Sequence, residues 1–184
     1  MISENLPDEK LIRLFKAEAT REAAFAAIIR KYQERLYWHL RRMLHIHEDA
    51  DDVLQNTFIK VWKNLDKFRE DARLYTWLYR IATNEALTHI NKEKKHRSGS
   101  IDNDELGLAE RLRADEYFDG DEAAIKLQEA IAQLPEKQKL VFNMRYFQEL
   151  KYDELSEILE TSVGALKASY HHAVKKIEQY LKSA

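Results

Sequence analysis

Apolar side chains recur every three or four residues along nearly the whole of this chain. Only four glycines and two prolines in 184 residues interrupt them. A period near 3.6 with so few breakers suits helices and little else, so an all-α fold is expected. A hydrophobic fraction of 45% supports real cores, and a charged fraction of 34% demands a wide solvated surface. This length fits one ordinary domain or two small ones. With no cysteine, disulfides and thiolate metal sites are excluded. The N-terminal MISENLPDEKLIRLF lacks a basic segment followed by an apolar run, so no signal peptide is expected. No apolar run nears the roughly 18 residues of a membrane span, and a cytoplasmic location is the expectation.

Charge divides the chain where composition does. Residues 1–97 carry 19 basic and 15 acidic side chains, net +4; residues 98–124 carry 2 and 9, net -7; residues 125–184 carry 9 and 8, net +1. The whole-chain charge of -2 argues against nucleic acid, whereas two mildly basic blocks flanking an acidic connector do not. The connector holds Gly99, Gly107 and Gly120, is rich in Asp and lacks apolar periodicity. It reads as a flexible acidic linker over 98–124 between domains at 1–97 and 125–184, with one helical turn near Leu108 to Leu112. It is either a solvated spacer or a filler for a basic groove on a partner.

Four helices are expected in the first block: about Asp8 to Ala17, Arg21 to Leu44, Asp49 to Leu65, and from after Asp71 to about Lys95. The second carries Phe25, Ile28, Ile29, Tyr32 and Leu36 at helical spacing. The third carries Ala50, Val53, Leu54, Thr57, Phe58, Val61, Trp62 and Leu65 in an i, i+3, i+4, i+7 series, with Asp49 and Asp71 as N-cap candidates for the third and fourth. Leu74, Trp77, Leu78 and Ile81 form the fourth helix's inner stripe. Four shorter helices follow in the second block. Pro135 starts one of them, and a break at Glu160-Thr161-Ser162 precedes the last.

LSEILETSVGALKASYHHAVKKI, Leu155 to Ile177, has the layout of a helix-turn-helix. Ser162 suits a cap. Leu166, Tyr170, Ala173, Ile177 and Leu181 share one face of the last helix; Lys167, Ala168, His171, His172 and Lys175 share the other. Such a face suits a major groove, and a plain helical hairpin with a solvated basic side fits as well. His171 and His172 diverge by about 100° and make no metal site.

Several side chains of the Asp49 to Asn84 stretch fall outside its apolar stripes. Asp52, Gln55, Asn56, Ile59, Lys60 and Lys63 make a polar face with an isoleucine at its centre. That is either a protein contact patch or a solvated face with one stray apolar residue. Arg69, Arg73, Tyr75, Thr76, Tyr79, Arg80, Thr83 and Asn84 interleave aromatic and basic residues, as single-stranded DNA requires. The tyrosines can equally pack against the first helix or the linker. HIHEDADD, His45 to Asp52, contains metal-ligand residue types, but helix capping accounts for its carboxylates, so no metal and no cofactor are expected. No Gly-rich phosphate loop and no nucleophile-base pair occur, so no enzyme is expected. A helix-turn-helix regulator remains the alternative.

Three words together, DADDVLQNTFIKVWKNL, FREDARLYTWLYRIATN and LPEKQKLVFNMRYFQELKYDELSEILETSVGALKASYHHAVKKI, resemble the sigma-70 family of bacterial transcription initiation factors, specifically its extracytoplasmic-function (ECF) group. The resemblance covers about residues 8–97 and 124–182. It implies that Asp52, Gln55, Asn56, Ile59 and Lys63 dock core RNA polymerase. It implies that Lys67 to Arg73, with Phe68 and Arg69, form a loop holding a flipped-out base of the -10 element. Tyr75, Thr76, Tyr79, Arg80, Thr83 and Asn84 would lie along the melted strand. Ser162, Gly164, Ala165, Lys167, Ala168, His171, His172 and Lys175 would face the -35 element. The linker would thread through the polymerase, and an anti-sigma factor is admitted as a further partner. Ser169, His172 and Val174 depart from commonly basic positions, and Lys151 from a common capping serine or threonine.

Overall fold

The computed structural model describes residues 1–69, 73–97, 108–115, 118 and 120–183. Among them every regular element is helical: α1 (Asp8–Lys16), α2 (Arg21–Leu44), α3 (His47–Asn64), α4 (Leu74–Arg97), α5 (Leu108–Ala114), α6 (Glu122–Ala132), α7 (Glu136–Tyr146), α8 (Tyr152–Leu159) and α9 (Val163–Ser183). The chain divides into two compact units, the first built on residues 1–94 and the second on most of the rest.

In the first unit, α1 to α4 enclose one core. Leu11, Ile12 and Phe15 of α1, Ile28, Leu36 and Leu40 of α2, Val61 of α3 and Leu74 and Leu78 of α4 are buried. Aromatic rings close one end. Trp62 meets Phe15 at 5.3 Å and Phe25 at 5.0 Å, both edge-on, and the Arg21 guanidinium covers Phe15 at 4.4 Å. Edge-on pairs of this kind add about 0.5–1.5 kcal/mol each beyond area burial. Asp8 at the start of α1 accepts from the Tyr32 hydroxyl at 2.7 Å and the Lys31 ammonium at 2.7 Å, which ties α1 to α2. Thr57 belongs to the apolar series of α3 because its hydroxyl donates to the Val53 carbonyl at 2.7 Å and leaves its methyl to the core.

Two expectations shift. Helix α3 begins at His47, with Ile46 as N-cap and no side-chain cap bond. Asp49 therefore lies in the first turn, where its charge still favours the positive helix end, and it faces His89 of α4 at 3.5 Å. The Asp71 cap falls outside the described residues. The helical turn expected at Leu108 extends to Ala114.

In the second unit, Ala130, Ile131, Leu134, Phe142, Ala173 and Ile177 form the core, with Leu127, Phe147, Tyr170, Val174 and Tyr180 packed around it. Helix α6 is capped by Asp121, whose carboxylate accepts from the Ala124 N–H at 2.9 Å. At α8 the Glu154 carboxylate reaches back to the Lys151 N–H at 2.8 Å, the half of a capping box that needs no serine. Glu160 adopts a left-handed φ of 50° and ends α8. Ser162 then caps the next helix, accepting from the Ala165 N–H at 3.3 Å.

Candidate nucleic-acid interface

Helix α3 buries Ala50, Val53, Thr57, Phe58 and Val61 on one side. Its 3.6-residue repeat therefore turns Asp52, Gln55, Asn56, Ile59 and Lys63 outward, and all five are exposed. Ile59 is 51% exposed. Lys60, beside it, pairs with Glu85 of α4, so part of the polar face is fixed against the neighbouring helix. The result is an ordered polar surface around one apolar side chain, suited to another protein. His47 at the start of α3 is held by the Tyr37 hydroxyl at 2.7 Å and Asp51 at 3.3 Å. Among the described residues no group of three or more metal-ligating side chains converges.

Helix α4 corrects the expected outer face. Tyr79, Thr76 and Thr83 are only 1%, 3% and 1% exposed, although hydropathy spacing turns them toward solvent. For Tyr79 and Thr83 the cause is a polar seam between α2 and α4. His39 of α2 is buried and bonds Thr83 through Nε2 and Oγ1 at 2.8 Å, and its ring lies 5.1 Å from that of Tyr79. The Tyr79 hydroxyl donates to the Arg35 carbonyl at 3.5 Å, and burial raises its pKa. Burial likewise depresses His39 to about 3, so it is neutral. Two polar helix faces thus bury each other, a pairing that a search for apolar stripes passes over. Phe68 is also buried, packed on Trp77 at 5.1 Å, and anchors the segment before α4 instead of pointing outward.

What α4 leaves outside is narrower. Arg73, Arg80 and Asn84 are exposed, as are Lys67 and Arg69 ahead of the helix, and Tyr75 is half-buried. Arg73 donates to the Tyr75 hydroxyl at 3.3 Å, and the Tyr75 ring stands edge-on to Tyr79 at 6.5 Å. The buried ring thereby steers the half-buried one. Residues 70–72 of the expected loop lie outside the described residues.

In the second unit the expected reading face is outside throughout: Ser162, Gly164, Ala165, Lys167, Ala168, His171, His172 and Lys175 are exposed, while Leu166, Ala173 and Ile177 are buried. A Cβ at Gly164 would meet nothing within 4 Å, so the first turn of α9 is open. Leu181, expected on the inner face, is exposed in the last turn of α9. Periodicity gives no hint of Tyr152, whose ring collects the Arg145 guanidinium at 5.2 Å and the Lys167 ammonium at 5.7 Å. Two cations from α7 and α9 are thus gathered at one edge of α9. The signal available in the sequence is a basic residue seven positions before an aromatic helix start.

The chain has relatives in both sequence and fold. Residues 28–96 match Sigma-70 region 2, and residues 124–177 match Sigma-70, region 4. The chain is 32% identical over 167 residues to the ECF RNA polymerase sigma factor SigW of Bacillus subtilis, covering 86% of this chain and 89% of that one. It is 27% identical over 182 residues to the RNA polymerase sigma-H factor of Pseudomonas aeruginosa, covering 95% and 93%. In fold it is similar to the sigma factor RpoE of Bartonella quintana, at TM-score 0.69 and 20% identity over 86% of this chain and 96% of that one. It is also similar to CnrH, at TM-score 0.70 and 22% identity over 96% and 97%. With both regions matched in order and a relative above 30% identity along most of its length, the chain belongs to the sigma-70 family, in the ECF group of RNA polymerase sigma factors.

Proposed function

We propose that the first unit docks core RNA polymerase through the α3 face of Asp52, Gln55, Asn56, Ile59 and Lys63, and holds the melted -10 strand along α4. The second unit reads the -35 element with α9. The chain is a promoter-specificity factor: it binds core RNA polymerase, recognises promoter elements and promotes opening. The observation that carries the reading is the match of both sigma-70 regions, in order, to the two units.

In this division of labour Tyr75 stacks on an unpaired base, Arg73, Arg80 and Asn84 line its path, and Lys67 and Arg69 approach the backbone. Stacking supplies about 1–3 kcal/mol per base, comparable to the few kcal/mol that each unpaired step costs. Tyr79, Thr76, Thr83 and Phe68 support that surface from beneath. Lys167 and Lys175 contact phosphates, and the small Gly164, Ala165 and Ala168 let the backbone approach the groove, with Ser162, His171 and His172 at its rim. No covalent step belongs to this activity, and the chain acts in the cytoplasm; among the described residues no helix is long and apolar enough to cross a membrane. An anti-sigma factor is a further partner in this reading, since the similar RpoE and CnrH chains were solved with the anti-sigma factor NepR and with the cytosolic domain of CnrY. Transcription in vitro with core polymerase over a library of promoter sequences is the test. Enrichment of a shared -35 and -10 pair is expected. No product at micromolar protein, or no binding to core, overturns the reading.

A further inference from the structure

The polar seam that buries Tyr79 carries the α4 surface onto α2. Arg35, Trp38 and Arg42 stand at i-3, i and i+4, so they share one face of α2. Trp38 is 37% exposed, one of the few large apolar side chains outside any core. Arg42 lies over its ring at 6.0 Å and donates to the Trp38 carbonyl at 3.0 Å, while Tyr37 meets it edge-on at 5.2 Å. Arg42 and Tyr37 therefore flank the indole. Contacts run from Tyr75 to this helix: Tyr75 stands edge-on to the buried Tyr79, the Tyr79 hydroxyl reaches the Arg35 carbonyl, and the Arg35 and Arg42 charges both act on the Tyr79 phenol. Residues 35–46 and 73–84 together contain five arginines, while Asp51 and Glu48 of α3 act on Tyr37 beside the indole.

A part-exposed indole with Arg35 and Arg42 on its own helix face suits one class of ligand, an unpaired nucleotide with its phosphate. We propose that the Arg35–Trp38–Arg42 face is a second stacking site on the melted strand: Trp38 takes an unpaired base neighbouring the one held by Tyr75, and Arg35 and Arg42 hold the connecting phosphates. This rests on the α4 reading above, which it extends across the seam. Base stacking on one aromatic side chain is sequence-tolerant, so the site adds hold on the open strand more than choice of base.

The test uses the full chain assembled with core polymerase on a promoter, with the lifetime of the open complex read after heparin challenge. Trp38→Ala is expected to shorten that lifetime about tenfold, in line with stacking of one base, and Trp38→Phe to retain most of it. Single abasic sites placed along the non-template strand locate the base. At one position the abasic site and Trp38→Ala together cost no more than either alone, and for Tyr75→Ala that position is a neighbouring one. If Trp38→Ala leaves the lifetime unchanged while Tyr75→Ala shortens it, the second site is overturned and the α4 reading stands. If neither variant changes it, both fall. Loss of core binding by Trp38→Ala would assign the face to polymerase and overturn the proposal. So would Trp38→Phe failing as badly as Trp38→Ala, or an alanine defect that no abasic position shares.

Discussion

Tyr75 and Tyr79 lie one turn apart on α4, yet only Tyr75 keeps part of its ring in solvent. Their substitutions should therefore separate. Tyr79→Ala removes a buried ring and is expected to cost about 3–5 kcal/mol of stability in urea unfolding. Tyr75→Ala should cost below about 1 kcal/mol, keep core binding, and reduce permanganate reactivity of melted promoter thymines. Normal reactivity in that variant would remove Tyr75 from the strand's path. His39 gives a pH signature. An imidazole ordinarily titrates near 6.5, and burial, reinforced by Arg42, holds His39 down to about 3. Between those values only the unfolded chain binds this proton, so stability is intact above pH 6.5 and falls as pH drops toward 3. The slope reaches about 1.4 kcal/mol per pH unit. Unfolding at pH 7.5 and 5.5 should show the wild type losing on the order of 1 kcal/mol more than His39→Gln. Equal losses would mean that the imidazole is not kept neutral.

At the scale of elements, α9 depends on how it starts. The Ser162 hydroxyl satisfies the Ala165 N–H in the turn of the helix-turn-helix, and the exposed Gly164 and Ala165 add no packing there. Ser162→Ala is expected to destabilise the second unit by about 1 kcal/mol in thermal unfolding, and Ser162→Asp to leave it unchanged or slightly better. Equal melting of all three would show the cap to be idle. Tyr152 acts across elements, since its ring gathers Arg145 and Lys167. Much of this level is legible in the sequence. The outer face of α3 and, but for Leu181, both faces of α9 follow from a 3.6-residue repeat because one side of each helix meets an apolar core. The face of α4 does not follow, because it is sealed by a polar neighbour.

The whole molecule carries net charge -2 with its excess of acid between two mildly basic units. Electrostatic affinity of the free chain for duplex DNA should be low, since few cations stand on the α9 face. Titration of a -35 duplex at several salt concentrations is expected to give a log-log slope of only about -2 to -3, and Lys167→Ala to lower its magnitude by about 1. A slope steeper than about -6 would mean that more of the surface binds DNA than α9 offers.

The sequence by itself determined the all-helical class, the acidic connector, the sigma-70 resemblance and the exposed faces of α3 and α9. All of these depend on local periodicity, on composition or on contiguous words. Only the tertiary structure decided which aromatics of α4 stay available. His39 and Thr83 are 44 positions apart, and Tyr79 is equally far from Arg35. Polar groups that satisfy each other across two helices leave no apolar trace in either. That contact removed Tyr79 from solvent and joined α2, with Trp38 exposed, to the surface that Tyr75 occupies.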